Sequence, residues 1–502
     1  MALHRVDTRA PLPLFSAAAA RQIEHRARDS LPAHTLMQRA GLSVARLALA
    51  LAPHARTVWL ACGPGNNGGD GLEAAVHLQQ AGKSPVVTWL GDPDRVPPDS
   101  RASLQRARAA GVVFSGTPPP LAREDLCIDA LLGMGGGQRS AEGLLATCIR
   151  WLRTANAPVL AVDLPSGLHS DTGHFAIDNE AIEIYFTLAR AGFHAQNTLC
   201  LLTHKPGLWT GQGRDAAGHL WFDDLGIAVP TQEADAWLGA APHARPRPHT
   251  AHKGSHGDVA VLGGAAGMAG AALLAGSAAL YAGAGRVFVG LLDGATRMAA
   301  DGQHPELMLR TPDTLPLRGA TVVCGCGGGE QVAAWIPQVL AAPGPVVLDA
   351  DALNALARDS ALQALLRARG RRGQITVLTP HPLEAARLLG KTTAQVQADR
   401  LTAARQLARD SGAIIVLKGS GSIVAAPGMP PTINPTGNAR LATAGTGDVL
   451  AGLVGAWLHD TTHAAEAAAR TSAAVYAHGA LADQWPAGTA LTAGRLAAAL
   501  HI

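Results

Sequence analysis

Thr57-Val58-Trp59-Leu60-Ala61-Cys62 runs directly into Gly63-Pro64-Gly65-Asn66-Asn67-Gly68-Gly69-Asp70-Gly71, and Leu72, Ala75, Val76 and Leu78 follow at helical spacing. A continuous apolar run closed by a glycine turn is the pattern of a strand covered on both faces, as in the middle of a parallel sheet. The same strand–turn–helix unit recurs with apolar runs at residues 86–90, 112–114, 126–129 and 159–163. Upstream, Ser16 reads as a helix cap, and Thr35–Leu51 carries Leu36, Ala40, Val44 and Leu47 on one helical face. Short apolar strands alternating with helices imply right-handed βαβ units and a doubly wound sheet, whose ligands bind at the C-terminal strand ends. Residues 63–71, 129–139 and 163–167 all fall at such ends.

The composition then changes. Residues 229–248 are rich in Pro, Ala and His, and Arg245-Pro246-Arg247-Pro248 cannot be helical. A domain boundary is expected near 226–230. The α/β pattern restarts with strands at 259–262, 286–289, 321–323, 346–349, 375–378 and 414–417, separated by alanine-rich helices. The last strand ends in Leu417-Lys418-Gly419-Ser420-Gly421-Ser422, a turn able to hold phosphate. Further on, Ala444-Gly445-Thr446-Gly447-Asp448 opens an apolar helix. The free N–H groups and the dipole of that helix end favour an anion. A carboxylate beside a phosphate cradle is repulsive unless it handles a proton or a metal, so Asp448 suggests chemistry.

The chain has 502 residues, 48% of them hydrophobic, and a net charge of only +3. Two or three domains are in keeping with about 150 residues each. No block of Lys or Arg forms a basic stripe, which argues against a nucleic-acid partner. Cys62, Cys127, Cys148, Cys200, Cys324 and Cys326 are scattered in apolar runs and read as reduced core residues of a cytoplasmic protein. Residues 17–20 are too short an apolar run for a signal peptide. Residues 259–285 carry no charge, but Gly and Ala dominate and Gly263-Gly264 breaks the run, so no membrane partner is expected.

Gly63-x-Gly65-x-x-Gly68 matches a dinucleotide-binding fingerprint, with Asp92 near the distance expected of a ribose ligand. That leaves a nicotinamide-dependent oxidoreductase as an alternative. Against it, Asn66, Asn67 and Asp70 occupy the turn itself, and a carboxylate against a pyrophosphate is unfavourable without a cation. Amide and carboxylate oxygens converging with Asp129 and Ser166 suggest a hard-cation site instead. Gly82-Lys83-Ser84 lacks the first glycine of a P-loop and ends a helix rather than opening one. Residues 163–167 lack a hydrolase elbow. His249, His252 and His256 lack the helical spacing or Cys partners of a zinc site. In the second half, residues 252–258, 263–270, 324–329, 349–354 and 379–384 are read as polar or glycine-rich loops converging at strand C-terminal ends, where a nucleotide and a second substrate could lie side by side.

Taken together the motifs resemble the bifunctional NAD(P)H-hydrate repair enzymes over nearly the whole chain. Residues 63–71, Asp129-Ala130-Leu131-Leu132-Gly133 and Val162-Asp163-Leu164-Pro165-Ser166-Gly167 look like an epimerase domain. His252-Lys253-Gly254, Asp349-Ala350-Asp351-Ala352-Leu353-Asn354, Thr379-Pro380-His381-Pro382, Leu417-Lys418-Gly419 and Gly445-Thr446-Gly447-Asp448 look like a dehydratase domain. The resemblance implies an α/β fold with two domains: an N-terminal Rossmann-like three-layer sandwich over 1–226 and a C-terminal ribokinase-like domain over 230–502. It implies epimerisation of the R and S hydrates of NADH and NADPH by the first domain. The second would dehydrate the S hydrate with ADP, releasing AMP and phosphate.

By position, the first substrate is expected at Asn66, Asn67, Gly68, Gly69, Asp70, Gly133, Met134, Gly135, Gly136, Gly137, Gln138, Arg139 and Asp163, with potassium on Asn67, Asp129 and Ser166. Asp163 is the candidate for proton transfer and cation stabilisation. In the second domain Ala269, Gly325, Gly327, His381 and Asp448 would take the hydrate, with Asp448 the catalytic base. Lys418, Gly419, Ser420, Gly421, Ser422 and Gly447 would bind the nucleotide. Glu384 is a candidate magnesium ligand, and a homo-oligomer is expected. A ribokinase-like small-molecule kinase fused to a nicotinamide-dinucleotide domain is the alternative. Three positions depart from the family pattern: Met134 stands where Thr is usual, Leu383 where Gly is, and Cys326 where Pro is common.

Overall fold

The computed structural model describes residues 3–134, 143–175, 195–242, 248–293 and 300–500. These fall into two compact units, the first comprising the described residues up to Asp7 together with Leu12–Ala236, the second Thr8–Pro11 and everything from Trp237 onward.

The first unit is built on β1 (His4–Arg5), β2 (Leu12–Leu14), β3 (Thr57–Cys62), β4 (Ser84–Trp89), β5 (Val113–Phe114), β6 (Leu126–Ala130), β7 (Val159–Val162), β8 (Asn197–Leu201) and β9 (His219–Asp223). Its sheet has the order β1-β9-β8-β7-β6-β3-β4-β5. All neighbours are parallel except β1 on β9. Successive residues of β3 enter opposite cores: Val58, Leu60 and Cys62 pack with the helices Thr35–Leu51 and Asn66–Gln80, while Trp59 and Ala61 pack with Gly143–Thr154. That alternation follows from the two-residue period of a strand and makes three layers. From β3 the chain winds outward to β5, then returns to β6 on the other side of β3. The crevice between the ends of β3 and β6 is therefore where a ligand fits.

In the second unit come β10 (Ala236–Leu238), β11 (Asp258–Gly263), β12 (Arg286–Leu291), β13 (Met308–Arg310), β14 (Thr321–Cys324), β15 (Val346–Leu348), β16 (Thr376–Leu378), β17 (Ile414–Leu417), β18 (Ile423–Ala425) and β19 (Thr432–Ile433). The order β13-β12-β11-β14-β15-β16-β17-β18-β19-β10 is parallel up to β17, and β18 is antiparallel to both neighbours. Its reversal of winding lies between β11 and β14. Small residues let the helices Ala269–Tyr281 and Thr446–Trp457 press together there: a Cβ on Gly452 would sit 2.0 Å from the Ala275 carbonyl. Among the described residues no helix is long and apolar enough to cross a membrane, and all six cysteines are free and buried.

The apolar runs read from the sequence are strands within a residue or two. The short strands β1, β2, β10, β13, β18 and β19 carry too few apolar residues to stand out by periodicity. Residues 252–258 are the correction. They precede β11 rather than follow a strand, and Gly257 accepts from the Gly285 N–H at 2.8 Å just before β12. They brace the N-terminal edge of the sheet, the opposite end from Asp448.

Candidate active sites

In the first unit a cavity of about 640 Å³ opens at the β3/β6 crevice. Gly63 makes the crevice tight, since a Cβ there would meet the Leu131 carbonyl at 1.9 Å. Of the residues expected from sequence, Asn66, Asn67, Asp70, Gly133, Met134 and Asp163 line the cavity. Gly68 and Gly69 do not. They are contact points instead, with any Cβ blocked by the Gly63 carbonyl or by Met37 and Ser100. Gly135, Gly136, Gly137, Gln138 and Arg139 lie outside the described residues.

Asp163 sits immediately after β7 with φ +65°, a left-handed conformation that costs a non-glycine residue about 1–3 kcal/mol. Its Oδ1 accepts from the Lys205 ammonium and, at 3.3 Å, from the Leu201 N–H. Lys205 is 1% exposed and also donates to the Leu201 carbonyl at 2.6 Å. Burial alone would lower the Lys205 pKa, but Asp163 beside it outweighs burial and holds the ammonium above its ordinary value. An ion-paired carboxylate suits stabilisation of positive charge and is poorly placed to take a proton. Asp70 differs: among the described residues it makes no hydrogen bond or ion pair. Burial, then the charges of Asp163, Glu24 and Glu73, push its carboxyl well above the usual range. Lys205 went unread because it follows an apolar run, the β8 strand, in a Thr-His-Lys-Pro-Gly turn with no recognisable motif.

The potassium candidates meet around the turn after β6. Ser166 donates its hydroxyl to Asp129 Oδ1 at 2.6 Å and its N–H to Asp129 Oδ2 at 2.9 Å, and accepts from the Leu132 N–H at 2.9 Å. Asn67 packs on Gly133, and its Oδ1 and Nδ2 are buried with no hydrogen-bond partner. Burial raises the Asp129 carboxyl despite the Ser166 bonds. The orphaned Asn67 amide oxygen, the buried Asp129 carboxylate and the Ser166 hydroxyl are the donor types a hard, oxygen-seeking cation takes.

In the second unit the crevice between β11 and β14 is closed by Gly264 donating to the Cys326 carbonyl at 3.0 Å. Gly325 and Gly327 adopt φ +116° and +57°, and Gly327 lies against Met268 and Ala271, beside Ala269 at the start of its helix. Gly445, at φ +88°, is the cap residue that lets the chain turn into Thr446–Trp457, with Asp448 in the first turn. The Cys326 sulfur and carboxylate oxygens of Asp349 and Asp448 lie within 4.8 Å of one another. Asp349 is 2% exposed and accepts from Lys418 at 2.8 Å and from the Thr379 hydroxyl at 2.7 Å. Burial works against the Lys418 charge, but Asp349 raises its pKa overall. Lys418 lies within 3.4 Å of where a Gly447 Cβ would be, so the two nucleotide candidates adjoin.

Asp448 is left outside that ion pair. Burial first, then the Asp349 charge, raise its carboxyl to about 6, while the Cys326 hydrogen bond and Lys418 hold it from going further. The 418–422 turn is fixed from beneath by the buried Arg400, which donates to the carbonyls of Leu417 and Lys418 at 3.3 Å. Gly419 and Ser420 are exposed above it. His381 caps its helix, accepting from the Leu383 and Glu384 N–H groups, and Glu384 accepts in return from His381 N at 2.8 Å. Burial lifts Glu384 to about 7, the mark of a carboxylate short of positive charge.

Fold and sites thus define a two-unit α/β enzyme with a separate acidic centre in each unit. A family profile described as YjeF-related protein N-terminus matches residues 33–207, and one described as NAD(P)H-hydrate dehydratase matches 259–501. The chain is 36% identical over 501 residues to the bifunctional NAD(P)H-hydrate repair enzyme Nnr of Escherichia coli (strain K12), covering 94% of this chain and 90% of that one. Its second half is 45% identical to the ADP-dependent (S)-NAD(P)H-hydrate dehydratase of Neisseria meningitidis, over 51% of this chain and 86% of the relative. A crystal structure of the Bacillus subtilis ADP/ATP-dependent NAD(P)H-hydrate dehydratase, co-crystallised with ATP and magnesium, is similar at 29% identity and a TM-score of 0.41, over 50% of this chain and 90% of that one. The chain belongs to the bifunctional NAD(P)H-hydrate repair enzymes.

Proposed function

We propose that this chain restores hydrated NADH and NADPH, with the first unit interconverting the R and S hydrates and the second removing water from the S hydrate at the expense of ADP. C6 of the hydrated ring is a hemiaminal carbon, so loss of its hydroxyl leaves an iminium-like ring that water re-enters from either face. Asp163, anchored by Oδ1, stabilises that charge with its remaining oxygen. Asn66, Asn67, Asp70 and Gly133 position the substrate. Asn67, Asp129 and Ser166 would hold potassium, which supplies fixed positive charge and order to the turn after β6.

In the second unit Asp448 takes the proton of the C6 hydroxyl as that oxygen attacks the terminal phosphorus of ADP. The P–O bond to AMP breaks, and the N–H groups of residues 445–447 neutralise the transferring charge. Loss of phosphate from C6 and a proton from C5 restores the C5–C6 double bond. Lys418, Gly419, Ser420, Gly421, Ser422 and Gly447 hold the nucleotide, while Ala269, Gly325, Gly327 and His381 seat the hydrate. Glu384 would be the protein carboxylate for magnesium carried on the phosphates, which lowers their charge. Six free, buried cysteines accord with a reducing, cytoplasmic setting.

The observation that carries this reading is Asp448 at a helix N-terminus beside Lys418, with a carboxyl near 6 that is ionised at neutral pH and still basic. Incubation of the whole chain with the S hydrate of NADH and ADP should restore reduced-ring absorbance and release AMP and free phosphate. A stable phosphorylated product without NADH would instead indicate a small-molecule kinase.

A further inference from the structure

The ion pair at the floor of the first cavity is more elaborate than a fold requires. A buried Lys–Asp pair is a weak source of stability, because desolvating both charges offsets most of their attraction. Here the cost is increased by backbone strain at both mounts: Asp163 has φ +65°, and Leu202, three residues before Lys205, has φ +64°. Strained non-glycine residues persist where the surrounding structure forces them, and they gather at functional sites. Both mounts lie at the C-terminal ends of the adjacent parallel strands β7 and β8, and both Asp163 and Lys205 line the cavity. The two donors to Asp163 converge on Oδ1. Oδ2 has no partner among the described residues and is left for a ligand.

We propose that Lys205 is a positioning residue of the epimerase centre, clamping Asp163 Oδ1 so that a correctly aimed Oδ2 meets the positive charge that develops on the ring. This rests on the proposed function of the first unit. Lys205 fixes the carboxylate in two ways. Its ammonium, tied to the Leu201 carbonyl at 2.6 Å, sets the rotamer of Asp163. Its charge also offsets that of Asp163 in a pocket lined as well by the acids Glu24 and Asp70. The ring charge then forms against a fixed dipole, which is the most effective arrangement for stabilising a charged transition state.

The test uses the full-length chain with the R hydrate of NADH and ADP, so that NADH appears only after epimerisation. The S hydrate on the same preparation reports the second unit as an internal reference. Lys205→Met should lower kcat for the R hydrate by roughly 100-fold with KM within about threefold, because only an interaction made in the transition state is lost. Restoration of the S hydrate should be unchanged. Asp163→Asn/Lys205→Met, which removes both buried charges and so folds at least as well as the single variant, should be no slower than Asp163→Asn alone, since the pair acts as one unit. Near-normal kcat in Lys205→Met overturns the proposal, and so do losses that multiply in the double variant. A role confined to folding would lower the melting temperature and the active fraction without changing kcat per folded molecule, which also overturns it. If the wild-type chain restores the S hydrate but never the R hydrate, the epimerase reading itself fails, and the two failures are distinct.

Discussion

The two units solve the same problem of placement and differ in what they do with a lysine. Each sheet reverses its winding between two strands, β3/β6 in the first and β11/β14 in the second. In each a glycine closes the crevice, Gly63 against Leu131 and Gly264 against Cys326. Each also places a lysine that follows another strand against a buried aspartate: Lys205 after the adjacent β8 on Asp163, and Lys418 after β17, two strands away, on Asp349. In the first unit the paired aspartate is the one that lines the cavity, where the proposed role is that of a counter-charge. In the second the lysine is engaged by Asp349, and Asp448 stays outside the pair with its carboxyl raised to about 6. On the proposed mechanism the same two residue types make an electrostatic stabiliser in one place and release a base in the other.

The sharpest way to break this contrast is Asp448→Asn. Loss of the base should slow dehydration of the S hydrate by roughly 10²–10⁴-fold while interconversion of the R and S hydrates continues at its normal rate. Restoration of NADH from the S hydrate at the wild-type rate would remove Asp448 from the mechanism. Next comes the first unit's oxygen cluster. Ser166→Ala takes away the hydroxyl that binds Asp129 and should raise the potassium concentration needed for half-maximal epimerisation by roughly 10–100-fold. Dehydration in the same titration serves as the reference, and an unchanged potassium curve would exclude Ser166 from the site.

A smaller effect sharpens the account of Asp448. As a base it must be ionised, so dehydration should rise with pH through about 6 and level off above it. The Cys326 hydrogen bond favours the ionised form, so Cys326→Ala should move this acid limb to higher pH. A limb that stays put, or moves down, would show that the thiol does not touch the base. Smallest is an acid effect on stability shared by both units. Burial holds His204 neutral down to about 3 in the first and His478 down to about 4 in the second. Both are lowered from 6.5, so the unfolded chain binds protons that the folded one refuses. Their contribution is intact above pH 6.5 and is lost as pH falls toward those values, by about 1.4 kcal/mol per unit for each. His478→Gln should flatten this slope in urea melts of the second unit, and an unchanged slope would exclude His478 as its source.

Much of the architecture was legible because central parallel strands are nearly pure apolar runs. Residues 57–62 and 414–417 could be read as strands without any knowledge of their neighbours, and the glycine turns after them marked the ligand end of each sheet. The edge strands β13, β18 and β19 were not legible: two or three residues long, they carry no period. Motif position singled out Asp163, Asn67, Asp129 and Ser166 as candidates in the first unit and Asp448 and Lys418 in the second. Residues 252–258 misled because a polar, glycine-containing loop looks the same whether it leaves a strand or enters one.

The order of apolar runs and glycine turns was sufficient, by itself, to determine two α/β units and the strand ends at which chemistry would sit, because hydrophobic periodicity and turn chemistry are local properties of the chain. Which aspartate receives the lysine was decided only by the tertiary structure. Asp163 and Lys205 are 42 residues apart, and Asp349 and Lys418 are 69 apart. Their charge states depend on burial and on neighbours brought in by β-strand pairing, and desolvation is a property of the folded interior that no stretch of sequence carries.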